Sequence, residues 1–333
     1  MAKRRFAFGL PLPVGAVVLL AALGLAAPGW SAGHTRDRFD RGEVSIVSVS
    51  NPHPDLVSGG QVLLRVTTSR RVSANDVRIT LNSVDVTSDF ARQADGSLLG
   101  LVTGLRDGPN VVRADTFREG RAARLVVVNH PITGPVFSGP QQRPFYCQTT
   151  AFGLQPATMP DCSAPTQVSY EYMSTSGAYK PWPTTGAPTQ PYPSDLAMTT
   201  VGGKSVPFIV RLEQGTIDRG VYQIAALYDG SDPSPTAPDA SWNGRLVYTF
   251  GGGCNSGYHQ GTSTGGVING APGPGGEDLF LSQGYAVASN SLNVLDNNCS
   301  IPISAEAAMM TKEHFVDEYG PVVHTIGWGG SGG

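Results

Sequence analysis

Three features of the 333-residue sequence predict a two-part architecture. Short β-branched segments alternate with turn signals over residues 44–129, a helix and strand run into a Gly-Ser-Gly turn over 305–333, and a glycine loop directly follows an earlier strand. Together they predict a small all-β, immunoglobulin-like sandwich followed by the N-terminal part of an α/β-hydrolase fold. The 42 glycines and 26 prolines argue for many turns and loops, because these residues punctuate regular structure. A 40% share of apolar residues is enough to bury ordinary cores.

Residues 1–32 read as an export signal. Lys3, Arg4 and Arg5 form a basic start, Val14 to Ala27 is an uncharged run rich in Ala, Leu and Val, and small residues offer cleavage after Ala26 or Ala32. Pro11, Pro13 and Pro28 break the apolar stretch, which argues against an anchor of the ~20 residues that span a bilayer. Arg4-Arg5 is compatible with a twin-arginine signal without deciding for one. The expectation is a secreted or periplasmic protein with no stable membrane span after signal cleavage.

Residues 40–130 carry the sandwich. Its strand signals are Val44 to Val49, Gln61 to Thr67, Val77 to Leu81, Ser97 to Thr103, Asn110 to Ala114 and Arg124 to Val128. Asn51-Pro52, Gly59-Gly60, Asp95-Gly96 and Gly108-Pro109 mark turns between them. Residues 131–205 contain Pro181-Trp182-Pro183 and Pro191-Tyr192-Pro193, tracts unsuited to a sheet or helix interior. This stretch is too long for a bare loop and reads as a connection packed over the next domain by Phe145, Tyr146, Tyr170, Tyr172, Tyr179 and Trp182.

Residues 206–333 carry the hydrolase-like part. Phe208 to Leu212 and Val221 to Tyr228 suit a hairpin, Arg245 to Phe250 a strand ending in the glycine loop, and Tyr285 to Ser289 a buried strand. Ala305 to Tyr319 reads as a helix, with Ser304 as cap, Glu306 in the first turn and Gly320-Pro321 as the stop. Ala308, Met309, Lys312, Phe315, Val316 and Tyr319 fall near one face. Val322 to Ile326 is then a strand leading into Gly329-Gly330-Ser331-Gly332-Gly333.

That pentapeptide has the form of a nucleophile elbow, in which a serine sits on a strained turn and only small residues fit beside it. Ser331 is therefore the candidate catalytic nucleophile. Phe250-Gly251-Gly252-Gly253-Cys254 resembles the glycine loop that supplies one N–H to an oxyanion hole. The candidate donors are Gly252, Gly253 or Cys254 from that loop and Gly332 from the residue after the serine. In such enzymes the acid and histidine follow the serine in chain order, so His259, His314 and His324 are not expected to complete a triad. Nothing follows Gly333, and the chain as it stands is expected to be inactive.

Cys147, Cys162, Cys254 and Cys299 allow three pairings or free buried thiols. Proximity favours Cys147 with Cys162 and Cys254 with Cys299. No metal-ligand spacing and no cofactor signature is present. A net charge of -3 gives no footprint for nucleic acid, which needs clustered Lys and Arg.

The segments Gly134-Pro135-Val136-Phe137-Ser138-Gly139-Pro140-Gln141-Gln142, Phe145-Tyr146-Cys147, Phe250 to Cys254, Gln283-Gly284-Tyr285-Ala286-Val287-Ala288-Ser289 and Thr325 to Gly333 resemble an uncharacterised family of secreted bacterial proteins. That family is similar, in its hydrolase half, to tannases and feruloyl esterases. The resemblance implies ester cleavage. It departs at one point: tannases carry a cysteine directly before the serine, bridged to one beside the catalytic histidine, where this chain has Gly330.

The expected function is thus a serine hydrolase that cleaves small-molecule or polymer-borne carboxylic esters through an acyl-enzyme at Ser331. Amide or β-diketone cleavage on the same elbow is an alternative. From another class, the alternative is a non-catalytic exported binding protein on a decayed hydrolase scaffold.

Overall fold

The computed structural model describes residues 44–69, 72–117, 122–255, 257–268 and 277–333. The export-signal reading of residues 1–32 lies outside them. The first unit holds β1 (Val44–Ser48), β2 (Val57–Ser58), β3 (Gln61–Thr68), β4 (Val77–Leu81), β5 (Val84–Asp85), β6 (Phe90–Arg92), β7 (Leu98–Thr103), β8 (Gly108–Thr116) and β9 (Ala122–His130). They form a four-stranded sheet in the order β1-β3-β7-β6 and a five-stranded sheet in the order β2-β9-β8-β4-β5. Aliphatic side chains fill the space between them, with Val62, Leu64, Val66, Ile79, Val102, Val112 and Val127 all fully buried.

Strand β3 is buried on both faces, and its alternation explains why. Val62, Leu64 and Val66 point into the sandwich, whereas Leu63 points away from it into a second core with Leu99 of β7. Ile217, Tyr222, Leu246, Met310 and Phe315 belong to that second core. The sandwich is therefore joined to the rest of the molecule through a shared apolar cluster.

The remaining strands are β10 (Gln167–Met173), β11 (Tyr179–Pro181), β12 (Met198–Val201), β13 (Lys204–Pro207), β14 (Ile209–Ile217), β15 (Gly220–Leu227), β16 (Arg245–Gly251), β17 (Ala286–Val294) and β18 (His324–Gly329). The helices are α1 (Glu277–Ser282) and α2 (Ile301–Tyr319). Seven strands form one mixed sheet in the order β11-β10-β14-β15-β17-β16-β18, and β12 with β13 form a separate hairpin. Part of the segment read from its prolines as a connection is built into the large sheet. Pro181 enters at the outer strand β11, where its missing N–H disrupts no ladder on the solvent side.

The fold class differs from the α/β-hydrolase expectation. Strands in four sheets dominate, and among the described residues only two α-helices occur, one of them a six-residue turn. An α/β fold alternates helices with parallel strands on both faces of its sheet. In the large sheet only β16, β17 and β18 pair in parallel, while β10, β11, β14 and β15 pair antiparallel. Glycine and proline account for the difference, since most connections are too rich in them to wind into helices. The molecule is mostly β.

Helix α2 begins at Ile301, earlier than the cap expected at Ser304. Pro302 sits in its first turn, where no intrahelical N–H is needed, and Ser300 precedes it. It packs against β17, β14 and β15 of the large sheet and against β2 and β3 of the sandwich. Its buried side includes Met310, Phe315 and Val316, but also Glu306, Glu313 and Asp317.

Candidate functional site

Strand β18 lies at the outer edge of the large sheet, paired in parallel with β16, so the ends of both strands emerge together. Beyond β18 the chain turns sharply, and the Gly333 N–H donates to the Gly330 carbonyl at 3.0 Å. Ser331, exposed at the tip, has φ +58°, a left-handed backbone that a non-glycine residue rarely adopts. A Cβ at Gly329 would lie 2.6 Å from the Gly333 carbonyl carbon, and one at Gly333 would lie 2.9 Å from the backbone of Gly251. The turn therefore excludes side chains at both flanks of the serine.

The glycine loop after β16 meets this turn. A Cβ at Gly252 would fall 2.8 Å from Ser331 Cβ and 3.3 Å from the Gly332 nitrogen. One at Gly332 would fall 2.6 Å from the Gly253 carbonyl oxygen and 3.6 Å from the Gly253 nitrogen. Four of the residues singled out in the sequence, Ser331, Gly332, Gly252 and Gly253, are thus brought together, and Cys254 follows in the same loop. Among the described residues, the N–H groups of Gly252, Gly253, Cys254 and Gly332 enter no backbone hydrogen bond. A hydroxyl beside uncommitted N–H groups is an arrangement suited to stabilising negative charge on a carbonyl oxygen.

A loop that sequence reasoning missed backs the glycines. The Leu295 and Asp296 N–H groups donate to the carbonyls of Gly251 (3.2 Å) and Gly252 (3.0 Å), and the Asn255 N–H donates to the Leu295 carbonyl at 3.2 Å. The Asp296 carboxylate accepts a short hydrogen bond from the Asn255 side-chain amide. A cavity of about 340 Å³ opens beside Gly251, Gly252 and Gly253 and is lined by Thr262, Thr264 and Asp296 among others. The sequence signal for this loop was only the polar run Asp296-Asn297-Asn298 after a strand.

The disulfides join Cys147 to Cys162 and Cys254 to Cys299. The second ties the residue after Gly253 to the end of the backing loop. Two disulfides suit an extracellular or periplasmic compartment, where thiols are oxidised. No helix among the described residues is long and apolar enough to cross a membrane. Among them, no group of three or more His, Cys, Asp or Glu side chains is placed to hold a metal ion.

The histidines are placed apart from the serine turn's hydrogen bonds. His314 Nε2 lies 2.7 Å from Glu213 Oε1, inside a buried cluster with Arg211, Tyr222 and Tyr319. Burial pushes the Glu213 carboxyl up, but His314 and Arg211 outweigh it and hold the group down at about 2. Burial lowers His314, and Glu213 overcomes that to raise it above its ordinary value. His324 is exposed on β18, and His259 pairs with Tyr146 in an isolated bridge, its Nε2 packed against Gly257.

A family model matches residues 46–333, described as "Tannase-like family of unknown function (DUF6351)". The chain belongs to this tannase-like family. The match runs from β1 to the serine turn and so covers both the sandwich and the large sheet. No curated protein matches the chain. Among solved structures it is similar to a crystal structure of a protein described as membrane anchored, from Corynebacterium diphtheriae, at 8% identity and a TM-score of 0.22. That alignment covers 70% of this chain, which spans 41% of the length of the other.

Proposed function

We propose that this tannase-like protein is a serine esterase in which Ser331 is the nucleophile. The observation that carries the reading is the contact between Ser331, on a left-handed turn that admits no side chain on either flank, and the Gly252-Gly253 segment. Ser331 Oγ attacks an ester carbonyl, the alcohol leaves, and water releases the acid from the acyl-enzyme. The N–H of Gly332, together with that of Gly252, Gly253 or Cys254, donates to the developing oxyanion. One lost donor of this kind costs about 100- to 1,000-fold in kcat. Deprotonating Ser331 needs a general base. With His314 engaged by Glu213 and His324 exposed on the edge strand, the reading draws that base from outside the described residues.

The test is covalent labelling of the full-length protein with a fluorophosphonate, followed by peptide mapping, alongside release of p-nitrophenol from short acyl esters. Labelling at Ser331 that disappears in Ser331→Ala, with loss of ester turnover, is the expected result. Absence of labelling and of turnover in the unaltered protein sinks the reading.

A further inference from the structure

The glycine loop has no side chain of its own with which to hold its shape. Glycine loses more conformational freedom on ordering than any other residue, so a three-glycine run needs outside restraint to keep its N–H groups aimed. Asp296 restrains it from three directions. Its N–H donates to the Gly252 carbonyl at 3.0 Å, which fixes the peptide that carries the Gly253 N–H. Its side chain lies against Gly253, where an added Cβ would meet Oδ1 at 2.5 Å and Cγ at 2.8 Å, and where φ is +92°. Its carboxylate accepts from the Asn255 side chain, closing the loop on its far side. The Cys254–Cys299 disulfide and the Cys299 N–H, which donates to the Asn255 carbonyl at 3.2 Å, fasten the same two segments a few residues on.

We propose that Asp296 is a positioning residue for the esterase site, acting with the Cys254–Cys299 bond as a clamp that holds the Gly252–Cys254 N–H groups against Ser331. The proposal rests on the Ser331 reading above. Asp296 does not itself touch the reacting atoms. Its carboxylate works through Asn255 and Gly253, so what matters is an acceptor oxygen at that place rather than its charge. Asparagine supplies the same acceptor, and alanine does not.

The test compares Asp296→Ala, Asp296→Asn and Asn255→Ala in the full-length protein by ester turnover, fluorophosphonate labelling rate and hydrogen exchange of the Gly252–Cys254 segment. Because misplacement of a site group by about 1 Å costs on the order of 100-fold, Asp296→Ala and Asn255→Ala are expected to lower kcat by about that factor with KM little changed. Faster exchange is expected in that segment alone, and Asp296→Asn is expected to restore most of the rate. Folding is monitored by exchange in β10 and β14, on the far side of the same sheet, which stays unchanged if the clamp is local. Wild-type labelling by Asp296→Ala overturns the proposal, and so does a rate in Asp296→Asn as slow as in Asp296→Ala. If the unaltered protein never labels at Ser331 while loop exchange still responds to Asp296→Ala, it is the nucleophile reading that has failed, and the catalytic role of the clamp falls with it.

Discussion

The two cores of the molecule are held together by different physics. The sandwich packs an aliphatic cluster of Val, Leu, Ile and Ala between its two sheets, with the buried amides of Asn110 and Asn129 hydrogen-bonded among its loops. The large sheet buries polar groups at its centre: in β17 alone Ser289, Asn290, Ser291 and Asn293 are at most 1% exposed, and α2 adds Glu306, Glu313 and Asp317. Aliphatic packing is non-directional and tolerates exchange of one hydrocarbon for another of similar volume. A buried hydrogen-bonded network tolerates no loss of a partner, because the group left behind carries its full desolvation cost. The first region should therefore respond mainly to lost volume, and the second to lost partners and to pH.

Four measurements sharpen or break this contrast. The largest effect is expected from Glu213→Ala, which strips Arg211, His314 and Tyr222 of a shared acceptor. Breaking a buried pair in this way costs about 3–5 kcal/mol, readable by urea unfolding at neutral pH. Glu213 is held below its unfolded value, so its contribution is present above the ordinary carboxylate range and is lost as pH falls through about 2. His314, held above its ordinary value, contributes below that value and loses the contribution as pH rises through its folded pKa. Next is Leu64→Ala, at the fully buried centre of the sandwich, for which truncation costs about 2–5 kcal/mol with no dependence on pH. A strongly pH-dependent penalty at Leu64 would break the comparison.

The third concerns the seam between the two regions. Glu313 accepts from the Ser58 N–H at 2.7 Å and the Asn51 amide at 2.9 Å, and Asp317 accepts from the Leu63 N–H at 2.9 Å. Burial pushes Glu313 up to about 8 and Asp317 up to about 7. Groups raised in the folded state stabilise it fully at low pH and lose that contribution as pH rises through those values. The urea midpoint should fall as pH rises from about 4 to about 8, and Glu313→Gln should flatten the slope. The smallest effect is a gain: Ser331→Gly relieves the left-handed strain at φ +58° and should stabilise by up to about 1 kcal/mol while abolishing fluorophosphonate labelling.

The same contrast explains what was legible in the sequence. The short β-branched runs Gln61 to Thr67 and Ser97 to Thr103, set between turn signals, placed β3 and β7 of the sandwich, although both strands are buried on two faces. The serine turn and glycine loop were legible because their steric demands leave only glycine. Apolar periodicity placed α2 but missed its partners, since Glu306, Glu313 and Asp317 look like a solvated face until the segments that donate to them are in place. Glu306 takes the N–H of Ser138 at 2.6 Å, a residue 168 positions away, which no local pattern encodes. The α/β assignment failed for a related reason: one capped helix beside parallel-sheet strands was extended to a whole architecture, whereas the antiparallel strands β10, β11, β14 and β15 outnumber them.

The seam at α2 also sets an order of events in time. Ser58 and the carboxylate that receives its N–H are 255 residues apart in the chain. At a synthesis rate of about 5–20 residues per second, the sandwich strands are made roughly 13–50 s before their acceptor exists. During that interval the outward side of β3 presents Leu63 to whatever is nearby. The slow step in assembling this protein is thus expected to be the docking of two regions rather than the folding of either, and variants at Leu63 should change yield more than they change the final stability.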